Sequence, residues 1–181
     1  MTIGVRVATF DDVALLQQLI PASVRSLSTD HYTSRQLESA LTYVFGVDSQ
    51  LIADGTYYVA EVYGCLVGCG GWSKRSTLYG GDQAKTTGDS LLDPARDPGR
   101  IRAFFVHPQW ARRGIGRRII QVCEEAARRA GFDRLELAAT LPGEPLYTAV
   151  GYQAGERTEI PFPDGETFPI VRMTKSFLLG L

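Results

Sequence analysis

IRAFFVHPQWARRGIGRRIIQVCEEAARRAG, residues 101–131, is the stretch on which the reading of the whole chain turns. Residues 101–106 are almost continuously apolar, which suits a buried strand, and His107-Pro108 stops it. Further on, Ile115, Ile119, Val122 with Cys123, Ala126 and Ala130 recur at helical spacing over 114–130, and Gly131 stands where a helix is capped. Strand and helix are joined by a turn holding Gly114 and Gly116. At such a turn the unbonded N–H groups and the positive end of the helix dipole converge. The two glycines remove side chains where a ligand would meet a Cβ, and Arg112, Arg113, Arg117 and Arg118 set cations beside it, as phosphate recognition requires. The alternative is a strand–helix turn that needs glycine for its backbone alone. A dinucleotide fingerprint would carry a third glycine where Ile119 stands, and no Gly-Lys-Ser/Thr string of a P-loop is present.

Outward from this unit, strands and helices alternate. Ile3, Val5 and Val7 alternate as in a half-buried strand, Thr9 and Asp12 have the spacing of a capping box, and Val13, Leu15, Leu16, Leu19 and Ile20 form a helical stripe with Pro21 near its end. Thr33 with Gln36 predicts a second helix start, carrying Leu37, Ala40, Leu41 and Val44. Tyr57–Val62 and residues 66–72 read as a hairpin about Tyr63-Gly64; the run Gly68, Gly70, Gly71 lets something approach the backbone closely. Residues 73–99 are polar, rich in Gly, Asp and Pro, and long for a loop without regular pattern, which points to a functional role. Residues 134–139 form a strand, 146–150 a short helix and 170–175 a last strand. The order predicts an α+β fold, a central mixed, mostly antiparallel sheet flanked by helices, within one domain spanning 1–181.

With 181 residues and 44% apolar content, the chain can bury roughly 70% of its unfolded surface in one core. Nineteen Lys and Arg against 20 Asp and Glu leave a net charge of −1, which gives no overall case for nucleic acid or an anionic membrane. The charge is unevenly placed: residues 100–134 hold nine Arg against Glu124, Glu125 and Asp133, a local +6 on a body of −7. That pattern suits a small anionic ligand rather than a polyanion. Three cysteines are too few for a disulfide scaffold; Cys65 and Cys69 lack further ligands at zinc spacing and, like Cys123, read as small buried hydrophobes, so no metal is expected. Nothing in the opening residues resembles a signal peptide, and the expectation is a cytoplasmic protein.

Phe104-Phe105-Val106-His107-Pro108 followed by Arg113-Gly114-Ile115-Gly116-Arg117 resembles motif A of the GNAT superfamily of N-acyltransferases. Downstream, Leu146-Tyr147-Thr148-Ala149-Val150-Gly151-Tyr152 is similar to that family's Tyr-x-x-x-Gly-aromatic motif, and the order of the upstream elements fits as well. The resemblance implies acetyl-CoA as acyl donor, with the backbone of Phe104, Phe105 and Val106 meeting the pantetheine arm. It places the pyrophosphate on Arg112, Arg113, Gly114, Ile115, Gly116 and Arg117. Thr140 stands where the family often has Asn and would offer a hydroxyl to the cofactor. Two positions depart: Ala111 replaces a common Gln or Arg, and Arg100 and Arg102 occupy the region where a catalytic Glu is often found.

The resemblance further implies direct transfer to an amine acceptor in a ternary complex, which needs a base for the ammonium and an acid for the departing thiolate. Tyr147 takes the acid's place in the motif. Glu136, alternating away from Leu135 and Leu137, is the first candidate base, with Glu61, Asp82 and His107 as rivals. Trp72, Tyr79 and the 73–99 segment are expected to border the acceptor pocket. A small amine, a protein lysine or N-terminus, and a silent acyl-CoA-binding module remain open as readings. Homodimers are frequent in the family, which makes a homodimer one expectation.

Overall fold

The computed structural model describes residues 1–85 and 88–178. Its strands are β1 (Gly4–Val7), β2 (Tyr57–Val62), β3 (Cys65–Ser73), β4 (Gly99–Val106), β5 (Arg134–Thr140), β6 (Gln153–Pro161) and β7 (Thr167–Ser176). Its helices are α1 (Val13–Leu27), α2 (Ser34–Tyr43), α3 (Ser49–Ala53), α4 (Ile115–Arg129) and α5 (Glu144–Ala149). The strands lie in one sheet in the order β1-β2-β3-β4-β5-β7-β6, antiparallel at each junction except β4–β5, which is parallel. This is the mixed, mostly antiparallel α+β sheet expected from the element order.

Each face of the sheet carries its own core. On one, Leu16, Leu19, Ile20 and Val24 of α1 and Leu37 and Ala40 of α2 meet Tyr57, Val59, Phe168 and Ile170. On the other, Ile115, Ile119, Ile120, Cys123 and Ala127 of α4 and Tyr147 of α5 meet Val67, Ile101, Leu135, Leu137 and Met173. The glycine run in β3 explains how closely these layers approach. A Cβ on Gly68 would stand 2.7 Å from Ile115, one on Gly70 2.7 Å from the Phe104 ring, and one on Gly71 2.7 Å from the Thr56 carbonyl. What approaches this backbone is therefore the protein's own side chains and strand.

Several local expectations hold. Thr33 Oγ1 accepts from the Gln36 amide at 3.1 Å while Gln36 Oε1 accepts from the Thr33 amide at 2.9 Å, a complete capping box. Tyr63 and Gly64, with φ 51° and 76°, form the two-residue connection of the β2–β3 hairpin. Other elements differ. α1 runs through Pro21 to Leu27, because buried Ser23 and Val24 hold its last turns against the sheet and offset the hydrogen bond that Pro21 lacks. β6 was hidden by a polar, Gly- and Pro-containing sequence; it is an edge strand in which only Ile160 is buried, bulged between Ala154 and Arg157. Among the described residues no helix is long and apolar enough to cross a membrane.

Candidate active site

β4 and β5 begin as neighbours and then part. Their pairing consists of Gly99 with Leu135 and Arg100 with Glu136; beyond that the strands diverge. The divergence coincides with Ala103, whose φ of 57° is left-handed, a conformation costing roughly 1–2 kcal/mol for a residue with a Cβ. Buried Tyr57 supports this bend: its hydroxyl donates to the Ala103 carbonyl at 3.1 Å, with the Cys69 sulfur at the same distance. The pairing register of β3 with β4 also shifts here, between Cys69 and Gly71. Past the bend, His107 N–H returns to Val67 at 2.8 Å, whereas Val106 N–H is held by Ser23 Oγ of α1 at 3.2 Å. Alternation along the strand turns the amides of Phe104 and Val106 away from β3.

A cleft opens in the fork. It is lined by 101–105 of β4, by Leu137, Ala138 and Thr140 of β5, by Tyr147, and by two loops, 44–46 and 78–81. At the α4 face lies the glycine turn. Arg112 has φ 63° and Gly114, the N-cap of α4, φ 85°; no side chain caps the helix, so its first amides keep their donors. The two glycines have different jobs. A Cβ at Gly114 would meet nothing within 4 Å, so its need is conformational, and the space beside it is open. A Cβ at Gly116 would stand 2.8 Å from Leu146 Cδ2, so this glycine lets α4 and α5 pack together rather than admitting a ligand. Arg112, Arg113 and Arg117 are exposed around the turn, and Arg113 lies over the Trp110 ring at 5.1 Å. Ile115 is fully buried, so only its backbone can serve a ligand.

Tyr147 sits on α5 with its ring edge-on to Phe104 (6.2 Å) and to Tyr152 (5.9 Å), and it lines the cleft. Burial pushes its phenol well above the usual tyrosine value, with a smaller contribution from Cys123. The group is therefore held protonated, as a donor must be. Thr140 Oγ1 accepts from the Gly143 amide at 3.2 Å while lining the same cleft, so its proton is free to point into it. Phe104, Thr140 and Tyr147 thus line one cleft.

Glu136 is differently placed. Its Oε2 accepts from Arg100 at 2.8 Å and its Oε1 from Arg172, and the residue is not part of the cleft lining. Both carboxylate oxygens are taken by guanidinium donors and the side chain stands outside the cleft, so this geometry does not place Glu136 where a base would meet the amine. The rivals fare no better: Asp82 Oδ1 accepts from Ser49, Glu61 binds Arg6 at the β1–β2 edge of the sheet, and His107 Nδ1 accepts from the Gln109 amide as the cap of a short turn. Among the described residues lining the cleft there is no carboxylate. Trp72 lies on the other face against Phe132, away from the cleft, and Cys65 is exposed rather than buried. Among the described residues no cluster of His, Cys, Asp or Glu could hold a metal ion.

No local sequence pattern marks the buried ionic centre behind the cleft. Arg102, 3% exposed, donates to Asp48 Oδ2 (2.8 Å) and to the carbonyls of Thr77 (3.1 Å) and Gly80 (2.5 Å). Asp48 is fully buried; its Oδ1 also takes Lys85 Nζ and the amides of Gln50 and Leu51, which it caps as the start of α3. The expected loop 73–99 is consequently ordered where it is described, with Thr86 and Thr87 lying outside the described residues. Arg75 binds Asp54 through two bonds, Ser76 pairs with Ser90, and Gly81 N–H reaches Val44. Burial pulls the Arg102 guanidinium below its ordinary value, against the opposing pull of Asp48. Replacing Arg102 by Met leaves Asp48 short of its main partner, and we expect a loss of about 3–5 kcal/mol in unfolding free energy by denaturant titration. A loss below about 1 kcal/mol would show that the centre is dispensable to stability.

Four buried phenols give a second expectation. Burial raises Tyr32 to about 12, and raises Tyr57, Tyr147 and Tyr152 further. Below the ordinary tyrosine value of 10.0 these groups are neutral in both folded and unfolded chains. Above it the unfolded chain releases protons that the folded chain keeps, so stability falls as pH rises. Thermal unfolding followed between pH 9 and 11 should show Tm declining from about pH 10; a flat profile would contradict the burial of these hydroxyls.

The model of the acetyltransferase (GNAT) family matches residues 22–152. Among solved structures, the chain is similar to a GCN5-related N-acetyltransferase from Rhodopseudomonas palustris, with 24% identity, 97% of this chain and 96% of that chain covered, and a TM-score of 0.72. It is also similar to the PaiA N-acetyltransferase of Thermoplasma acidophilum in complex with coenzyme A (12% identity, 97% and 99% covered, TM-score 0.65). YncA of Salmonella typhimurium with its cofactor acetyl-CoA aligns at 15% identity, with 100% and 97% covered and a TM-score of 0.64. At these identities the likeness is one of fold. A search of curated proteins finds no significant match.

Proposed function

From the premise that the chain belongs to the GNAT acetyltransferase family, we propose that it is an acetyl-CoA-dependent N-acetyltransferase acting directly on the primary amine of a small molecule. The observation that carries this reading is the placement of Tyr147, a buried tyrosine that lines the cleft opening where β4 leaves β5.

Acetyl-CoA would supply the thioester whose carbonyl carbon the amine attacks. The residues fit such a molecule. The uncapped start of α4, with Gly114 and the exposed Arg112, Arg113 and Arg117, would hold the pyrophosphate, and the backbone of residues 104–106, with the Phe104 amide turned away from β3, would flank the pantetheine. Ile115 and Gly116 contribute backbone N–H groups, Gly116 also by keeping α5 close, and Thr140 contributes a hydroxyl. As the C–N bond forms and the C–S bond breaks, Tyr147 gives its proton to the departing sulfur. No carboxylate among the described residues lines the cleft, so the amine's proton leaves to water, and water returns a proton to Tyr147 to close the cycle. Glu136 then has the role of holding Arg100 and Arg172 at the base of the fork.

That missing carboxylate also favours a second reading, a module that binds acyl-CoA without turning it over. Calorimetric titration with acetyl-CoA and a thiol-release assay on small amines in the same preparation separate the two. Binding with thiol release supports the transferase; binding with none on any amine or peptide supports the module. Failure to bind acetyl-CoA would overturn both.

A further inference from the structure

Asp48, Arg102 and Lys85 form a closed ionic unit behind one wall of the cleft, and that closure bears on what the wall can hold. The wall toward α1 and α2 consists of Val44, Phe45, Leu78, Tyr79, Ala103 and Phe105, a set with aliphatic and aromatic surface and one phenol. Phe45 is braced edge-on by Phe105 at 5.7 Å and by Phe168 at 5.4 Å. The loops 44–46 and 78–81 are pressed together: Gly81 N–H bonds Val44, and a Cβ on Gly81 would stand 2.7 Å from the Gly46 carbonyl. The space they leave is narrow and its shape is set.

The charges nearest this wall are already spent on one another. Asp48 has no exposure and takes four donors, from Arg102, Lys85, Gln50 and Leu51. The terminal nitrogens of Arg102 serve Asp48, Thr77 and Gly80, and its Nε is closed off from water without a partner. Arg102 belongs to the cleft lining, but its side chain is only 2% exposed, so a substrate carboxylate would find no guanidinium within reach, and a second ammonium would find no carboxylate among the described lining residues. Either would lose water at this wall without replacement, a cost that selects against it.

We infer that the acceptor is a monoamine on a compact apolar or aromatic body, uncharged apart from the amine, and that Leu78 and Tyr79, held from behind by Arg102, are its specificity-determining contacts. This inference rests on the N-acetyltransferase reading and narrows it.

The test uses amines that differ by one charge. Thiol release from acetyl-CoA is measured with phenethylamine against phenylalanine, and with hexylamine against hexanediamine, alongside a lysine-containing peptide. We expect kcat/KM for each monoamine to exceed that of its charged counterpart by about tenfold or more. Phenylalanine or hexanediamine consumed equally well or better would overturn the inference. So would thiol release with the peptide alone, or release with none of these in a protein shown by calorimetry to bind acetyl-CoA; both leave the family's cofactor reading standing. Absence of acetyl-CoA binding would overturn the transferase reading and this inference together. A second variant keeps the wall itself at issue. Leu78→Asp places a carboxylate there, and KM for hexanediamine should fall while that for hexylamine rises. An unchanged preference in a folded Leu78→Asp protein would show that this wall does not meet the acceptor.

Discussion

Tyr147→Phe should lower kcat by about 10²-fold or more while leaving acetyl-CoA affinity unchanged within a factor of two or three. The substitution removes one oxygen and keeps the ring that packs edge-on to Phe104 and Tyr152, so the cleft retains its shape. The hydroxyl contributes to the reaction only when the sulfur leaves, so the loss should fall on turnover and not on binding. Because burial raises the phenol well above 10.0, Tyr147 stays protonated through neutral pH, and no loss of activity below about pH 10 should trace to its ionisation. Full activity in the Phe variant would assign the proton to water and remove Tyr147 from the chemistry.

The second large effect is expected at the glycine turn, where two substitutions separate binding from packing. Gly114→Val forces a β-branched residue to φ 85°, a strain of order 1–3 kcal/mol, with no neighbour within 4 Å to blame for a steric effect. Relieving that strain distorts the uncapped start of α4, and acetyl-CoA affinity should fall about tenfold or more by calorimetry. Gly116→Trp acts elsewhere: its first carbon alone meets Leu146, so the indole must displace α5 and Tyr147 with it. Turnover should be lost, and thermal stability should drop with it. Unchanged affinity in Gly114→Val would mean that the turn serves the fold only.

These two glycines show where reading the chain reaches its limit. Their presence in a strand–turn–helix unit is evident from residue order, whereas the φ of 85° at Gly114 is read from the structure. That Gly116 faces Leu146, more than twenty-five residues on, depends on how α5 folds back, which no local pattern encodes. The same holds for β3, where the glycine run signalled close approach but not that Ile115 and Phe104 are what come close. Glu136 alternated correctly on its strand, yet its partners arrive from β4 and β7. Pro21 stood near the end of the first helical stripe, and tertiary burial of the following turn carries α1 on to Leu27.

By itself the sequence determined the order of the elements other than α3 and β6, the α4 stripe, the α2 capping box, the hairpin turn and the family's two motifs, since each depends on residues within a few positions of one another. Only the tertiary structure decided the fork between β4 and β5, the joining of Tyr147, Thr140 and Phe104 on one cleft, and the Asp48–Arg102–Lys85 centre behind its wall. Asp48 and Arg102 are separated by fifty-four positions and are both buried. A buried charge is tolerable only with its partner in place, and that pairing exists once the chain between them has folded.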